Sequence, residues 1–414
     1  MPRVNPIRLE ITAIAAGGDG VAHVDRPEGR RAVFVAKSAP GDVIDAEIDF
    51  SHRPARGAVL RLIQPSPHRV EPPCRYAGTC GGCDLMHLDL GAQREAHRSI
   101  VVSALERALH RSGFPLPEVT AHAAPRDLGY RTRARLAIRA RGEQVIVGYR
   151  RAGRHFLEDI ATCAVLDPSL DRALPDLRPL FRGETGEGEA NISLGANGLP
   201  VADISWTGEL SASFFGRVSQ LVEGQRLAGA DVRLEGAARP ARVGDPRAVT
   251  VGADGQPLIV PSGSFAQAHA SVSVQLGQRV LAAAEPAGRP VVELFAGSGN
   301  LSVLMARHTP SLIAVESDVR AVEAARANLK SRDLVARFVD ADADAFEWAA
   351  STRVVVLDPP RGGAEGASRR LAGSKVRRVA YISCDASTLA RDVELLASGG
   401  FRPFMIETFE MFPH

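Results

Sequence analysis

The thiols and carboxylates of this chain fall at spacings that could do chemistry. Cys74, Cys80 and Cys83 crowd together, Cys163 lies far downstream, and Cys384 stands alone. An odd number of thiols behind a start without an apolar leader argues against a disulfide framework. Cys-x5-Cys-x2-Cys is also not the two close pairs of a zinc ribbon. Val291–Phe295 reads as a buried strand running into Ala296-Gly297-Ser298-Gly299-Asn300, a glycine turn that opens a helix. In a doubly wound sheet that turn is where a nucleotide-like ligand sits. Glu316 ends the next strand, placed to accept from ribose hydroxyls. The plain alternative is a tight structural turn. Leu357-Asp358-Pro359-Pro360-Arg361 ends a further strand, and two prolines there aim the carboxylate into the cleft.

The spacing Gly-x-Gly with Glu293 upstream, rather than Gly-x-Gly-x-x-Gly, looks like the S-adenosylmethionine pocket of class I methyltransferases. Asp342, after the strand-like Arg337–Val339, resembles the residue that contacts adenine in such enzymes. Enzymes that methylate an exocyclic amine use Asp-Pro-Pro followed by an aromatic residue; Arg361 in that place disfavours amine chemistry. Tyr381-Ile382-Ser383-Cys384-Asp385 brings Cys384 to the carboxyl edge of the same sheet. A lone cysteine is commonly a small apolar core residue, but beside a methyl-donor cleft it reads as a nucleophile. Carbon 5 of uracil is a poor nucleophile until a thiolate adds to carbon 6 and makes the ring an enolate. The charge that develops on the carbonyl needs a fixed hydrogen-bond partner, with Asp358 or a neighbour as candidate.

These features together resemble the RNA uracil-5-methyltransferase family, nearly end to end. The matching motifs are Phe265-Ala266-Gln267, Glu293–Asn300, Asp358–Arg361, Ser383-Cys384-Asp385, Thr388–Asp392 and Met411-Phe412-Pro413-His414. The resemblance implies that Gln267, Phe295, Asn300, Glu316, Asp342 and Asp358 line the cofactor and substrate cleft, and that Cys384 is the nucleophile. It implies a [4Fe–4S] cluster on Cys74, Cys80, Cys83 and Cys163, as in the family's ribosomal-RNA branch, with zinc on the same four as the alternative. It also implies that the first 65 residues are a TRAM domain, an OB-type RNA-binding barrel, which favours ribosomal over transfer RNA. Two departures stand out: Met86 precedes His87 where the family usually has Gln, and the 414 residues end at His414, before the glutamate the family uses as general base. Either the sequence is truncated, or Glu407, Glu410, Asp392 or water substitutes for it. Loss of that step would leave a slow enzyme that accumulates its RNA adduct.

The elements that must position these groups are legible in outline. Ile44, Ala46, Ile48 and Phe50 alternate with acids, the period of a half-buried strand, and five short strands in residues 1–65 suit a small barrel. Residues 66–260 read as a central α+β domain, with a helix near 93–112 that can pack on the catalytic part. From 261 to 414 helices and short apolar strands alternate, which argues for a doubly wound parallel sheet. At 45% hydrophobic and 24% charged residues the chain is globular, and no run reaches the length of a membrane span. A cytoplasmic monomer that binds RNA is the expectation.

The net charge of +2 hides a basic front half. Residues Tyr130–Arg154 hold eight arginines and one acid, Glu143, with Tyr149 and His155 close by. They read either as solvated strands in an arginine-rich chain or as phosphate contacts and stacking surface for RNA. The competing functions are a transfer-RNA uridine methyltransferase, a catalytically impaired RNA-binding factor, and a cytosine-5-methyltransferase. The last is disfavoured because the one Pro-Cys dipeptide is Pro73-Cys74.

Overall fold

A computed structural model describes residues 6–151 and 156–414. Ile44 and Ala46 point inward from the strand Val43–Asp49 while Glu47 and Asp49 are exposed. That strand belongs to a six-stranded curled sheet, one strand more than expected, compatible with a barrel. Most neighbours are antiparallel, but Gly29–Val35 runs parallel to Ala55–Gln64. Leu9, Ile11, Val33, Val35 and Ile44 fill the interior of the sheet.

The central region is a seven-stranded sheet. Its spatial order is Leu157–Asp159, Gln144–Arg150, Arg133–Arg141, Thr185–Leu194, Pro200–Thr207, Gly229–Leu234 and Ala241–Gly244. The helices Pro168–Leu180 and Ala212–Glu223 pack with it, each started by a capping side chain, Asp167 or Ser211, that accepts a backbone N–H. Leu136, Ile138, Ile192, Phe181, Trp206 and Phe214 make the shared core. Alternation along Arg133–Arg141 puts Ala134, Leu136, Ile138 and Ala140 on the core face and the arginines on the other. Some arginines of the basic stretch are neutralised locally. Arg135 pairs with Glu189, Arg139 with Glu187 at 3.2 Å, and Arg151 with Glu158 at 2.7 Å. For these three the solvated-strand reading holds, while Arg154 and His155 lie outside the described residues.

Short buried strands form the catalytic sheet: β1 (Val291–Leu294), β2 (Leu312–Glu316), β3 (Arg337–Asp340), β4 (Val354–Leu357) and β5 (Arg378–Tyr381). They are all parallel, in the order β3-β2-β1-β4-β5. Val354, Val355, Val356 and Leu357 are all fully buried, as a strand covered on both faces requires. The order reverses between β1 and β4, so the crevice for a ligand opens at the carboxyl ends of those two strands.

Earlier parts of the chain brace this domain. The helix Leu90–His110 lies against Ala386–Ser398, and Arg111 at its end pairs with Glu394 at 2.9 Å. Val119–His122 pairs in parallel with Ile406–Phe409. The hairpin of Ala248–Val251 and Pro257–Val260 packs on Val303 and Leu329. Asn328 clamps it, accepting from Ile259 N and donating to Ile259 O, both at 2.8 Å. Among the described residues no helix is long and apolar enough to cross a membrane.

Candidate active site

The turn after β1 is shaped by backbone rather than side chains. Phe295, Gly297 and Gly299 all have positive φ, at 60°, 53° and 83°. A Cβ on Gly299 would press on Ala325 at 3.1 Å, whereas one on Gly297 would meet nothing within 4 Å. Gly299 is therefore small for packing, and the open face of Gly297 leaves the backbone free to meet a ligand. Glu316, at the end of β2, braces this turn: Oε2 accepts from Gly297 N at 2.9 Å, and Oε1 from Ser317 N and Asp318 N, both at 2.8 Å. Oε2 still has a lone pair for a hydroxyl donor. Ser298 Oγ is buried without a partner, a polar atom awaiting a ligand or water. An S-adenosyl ligand fits these features: open backbone, orphaned hydroxyl and acidic residue at the second strand.

Asn300, expected in the cleft, spends its amide inside the protein. Its Oδ1 accepts from Ala253 N at 2.9 Å, and its Nδ2 reaches Ser273 Oγ at 3.5 Å, tying the hairpin to the helix Ala270–Ala284. Asp342 stands exposed just past β3 and accepts from Asp344 N at 2.9 Å. Beneath the turn, Glu293 is 2% exposed and accepts from Ser302 Oγ at 2.6 Å. Burial pushes its pKa up to about 8, so it is largely neutral at pH 7.

Asp358 leaves the end of β4 beside that crevice. Burial raises its pKa to about 6, opposed by the amide of Gln267, whose Nε2 donates to Oδ2 at 3.3 Å. Because Glu293 is neutral, the two carboxyls carry a single charge at pH 7. Leu357 and Tyr381 are register partners on β4 and β5, and Ile382 N donates to Leu357 O at 2.8 Å. The loops carrying Asp358 and Cys384 thus leave one sheet edge side by side. Cys384 is exposed, one residue before Asp385, whose side chain caps the helix Ala386–Ser398 through Ser387 N and Thr388 N.

The Thr388–Asp392 motif has a role that its position in the sequence did not reveal. Thr388 Oγ1 donates to Arg361 O at 3.1 Å, and Arg391 donates to Gly362 O at 2.9 Å. Asp392, fully buried, accepts from Ala364 N at 2.7 Å and Tyr381 Oη at 2.6 Å, and pairs with Arg391 at 2.8 Å. The helix after Cys384 therefore grips the loop after Asp358 at Arg361 O, Gly362 O and Ala364 N. Gly363 crosses this grip at φ +76°, where a Cβ would lie 2.5 Å from Asp392 Oδ2.

The carboxylates considered as replacement bases all carry partners within the protein. Asp392 is the buried clamp just described. Glu407 pairs with Arg279 at 3.1 and 3.0 Å and lies 3.3 Å from His122. Glu410 is 6% exposed, accepts from Ala124 N at 3.0 Å and meets Arg94 at 3.4 Å. Each is held by its own cation or backbone donor, with Glu410 Oε1 left buried and unpartnered.

The remaining four cysteines line one cavity, together with Tyr76, Met86, Arg131 and Tyr149. Burial, then the neighbouring thiols, push Cys83 up to about 12 and raise Cys80 and Cys163. Anionic thiolates there need a cationic centre. Among the described residues no group of three or more His, Cys, Asp or Glu is placed to hold a metal ion. Arg131 faces this cavity with no ion pair among the described residues, its guanidinium 5.5 Å above the ring of Phe412.

Comparison with known proteins agrees with this geometry. A profile for the methyltransferase small domain matches residues 258–374. A protein of Chromohalobacter salexigens described as 23S rRNA (uracil(1939)-C(5))-methyltransferase RlmD is 34% identical, over 98% of this chain and 86% of its own. A Pseudomonas putida protein of the same description is 33% identical over 98% and 90%. The chain belongs to the RNA uracil-C5-methyltransferase family. The crystal structure of Pyrococcus abyssi tRNA (uracil-54, C5)-methyltransferase with S-adenosyl-L-homocysteine superposes on the enzyme with a TM-score of 0.75. The alignment covers 98% of this chain and 96% of that one at 22% identity, and shows the shared fold.

Proposed function

We propose that the enzyme methylates carbon 5 of a uridine in 23S ribosomal RNA, with Cys384 as nucleophile and Gln267 and Asp358 as readers of the base edge. The observation that carries this is the exposed Cys384 on the loop after β5, next to the loop after β4 that carries Asp358 and its partner Gln267. The Cys384 thiolate adds to carbon 6, and the electrons of the 5,6 double bond move toward carbonyl oxygen 4. Gln267 holds Asp358 with one N–H and has a second to donate to that oxygen. Ionised Asp358 accepts from the N–H at ring position 3. That donor–acceptor order suits uracil and rejects cytosine, whose edge is reversed. S-adenosylmethionine, when bound at the Gly297 turn, supplies an electrophilic methyl group to carbon 5. A base then takes the proton from carbon 5, and elimination of the Cys384 thiol restores the ring.

Relatives at 33–34% identity are described as acting on 23S rRNA, and the transfer-RNA enzyme is the more distant match; the ribosomal substrate is favoured on that ground. Such a base has to be single-stranded or flipped out to reach Cys384. The N-terminal sheet acts as a TRAM-type RNA-binding barrel. It is anchored where Lys37 donates to Cys83 O at 2.6 Å. Residues 1–65 and 66–260 hold RNA, and 261–414 does the chemistry.

Cys74, Cys80, Cys83 and Cys163 hold a [4Fe–4S] cluster. The four thiols line one shared cavity, which supports a common metal centre there. Arg131, in the wall of that cavity, would offset the cluster's negative charge. The test of function is nucleoside mass spectrometry of ribosomal RNA from cells with and without the gene, and with Cys384→Ala in its place. Loss of 5-methyluridine from 23S RNA in both altered strains is the expected result; unchanged 5-methyluridine overturns the reading.

A further inference from the structure

Gln267 sits in a stretch without regular structure, between the strand Pro257–Val260 and the helix Ala270–Ala284. Its amide meets Asp358 through one hydrogen bond of 3.3 Å. A glutamine side chain is long and rich in rotamers, so one such bond fixes the amide only if the backbone beneath it is held. The hold comes from a distant part of the chain. Thr132 directly precedes the central strand Arg133–Arg141 and donates twice to Ala268 O, from its backbone N at 3.0 Å and from Oγ1 at 3.1 Å. Arg133 Nη1 donates to Ala266 O at 3.1 Å. The carbonyls on both sides of Gln267 are therefore bonded by two consecutive residues of the central domain. Arg135 and Arg139 pair with Glu189 and Glu187 on the sheet, whereas the half-buried Arg133 gives its charge to this carbonyl. A charged donor makes the stronger kind of hydrogen bond.

The flanking residues close the same seam. Tyr130 stacks on His269, with ring centroids 4.8 Å apart and planes 16° from parallel, and its Oη donates to Pro413 O at 3.1 Å. Arg131 and His269 form an antiparallel bridge, and His269 caps the helix Ala270–Ala284. We propose that Thr132 and Arg133 are positioning residues for methyl transfer, which act through Gln267 by clamping the carbonyls of Ala268 and Ala266. The inference rests on the uridine-methylation reading and adds that the central domain sets the aim of the base-reading amide. A loosened clamp withdraws the Gln267 amide from two acceptors. One is the carbonyl oxygen on which charge develops; that loss is confined to the transition state, so it lowers kcat and leaves KM nearly unchanged. The other is Asp358. Gln267 opposes the burial that raises this carboxyl, so its withdrawal lets the pKa rise further, and the acid limb of kcat/KM moves to higher pH. Glu293, the buried carboxyl that senses the Asp358 charge, is present in every variant and cancels in the comparison.

The experiment compares wild type with Thr132→Val, Thr132→Ser and Arg133→Met on a synthetic 23S RNA fragment containing the modified uridine, at pH values on both sides of the Asp358 pKa. Thr132→Val replaces the hydroxyl by a methyl at nearly constant volume. In Thr132→Val and Arg133→Met, kcat is expected to fall roughly ten- to a hundredfold, as displacement of a reacting group does. KM stays close to that of wild type, and the acid limb moves up. Thr132→Ser restores the hydroxyl and recovers both rate and limb. Melting temperature and S-adenosylmethionine affinity show which variants fold, and the two sides of the clamp are read independently. A loss confined to KM, an acid limb where wild type has it, or a Thr132→Ser as slow as Thr132→Val overturns the positioning role alone. A fragment that wild-type enzyme leaves without 5-methyluridine overturns the uridine-methylation reading, and the positioning role with it.

Discussion

Asp358→Asn separates function from stability in opposite directions. The carboxyl has an ordinary pKa of 3.8 and is raised to about 6 in the folded protein, chiefly by burial. The folded state thus binds this proton more tightly than the unfolded chain. Its stabilising effect is complete below pH 4 and is lost as pH rises through 6. At about 1.36 kcal/mol per pKa unit, ionised Asp358 costs the fold about 3 kcal/mol at pH 7. Asparagine keeps the shape and can still accept from Gln267 Nε2, so the variant should be more stable at pH 7 by up to that amount and unchanged near pH 4. Urea denaturation at the two pH values measures this. Activity should move the other way: loss of a charged acceptor for the ring N–H lowers kcat/KM roughly 100-fold, taking about 3 kcal/mol for such a bond. In wild type the ionisation of Asp358 adds one unit of slope to log(kcat/KM) below pH 6, a unit the variant lacks. A variant less stable than wild type at pH 7, or one that keeps the full slope, refutes the assignment.

Cys384→Ala should abolish 5-methyluridine formation and the denaturant-resistant adduct with 5-fluorouridine RNA, while S-adenosylmethionine binding by calorimetry stays intact. Asp392→Ala strips the acceptor from Ala364 N, Tyr381 Oη and Arg391; a loss of about 3 kcal/mol in urea denaturation is expected. Methyl transfer should fall with it, because the loop of Asp358 loses its anchor. Gly363→Ala combines φ +76° with a contact on Asp392 and should cost more than about 1 kcal/mol by the same assay. Protein purified without oxygen should contain roughly four iron and four sulfide per chain, with visible absorbance that a chelator removes. Cys80→Ser should lower the iron content, and zinc in place of iron by elemental analysis would refute the cluster.

Local patterning was enough for the catalytic sheet. β1 and β4 are four-residue apolar runs, and a strand covered on both faces must be apolar throughout, so Val291–Leu294 and Val354–Leu357 stand out in any reading. The glycine turn, Glu316 and the Asp-Pro-Pro corner were legible for the same reason: each answers a demand of the backbone within a few residues. The five cysteines could be sorted four and one from their spacing and the family resemblance. What the linear pattern could not say was which charges neutralise one another. Arg131, Arg133, Arg135 and Arg139 look alike in sequence, yet Glu187 and Glu189, some fifty residues on, arrive on the neighbouring strand and cancel only the last two. The clamp of Asp392 on Ala364, the tie from Asn300 to Ala253 and the commitment of Glu407 to Arg279 are likewise contacts between distant segments. Sequence spacing sets the conformation of one segment at a time, because backbone preference and hydrophobic period are local. Pairing of charges and of buried polar groups is settled only when packing brings distant segments within hydrogen-bond reach, and that is where the tertiary structure decided which side chains remain free for RNA.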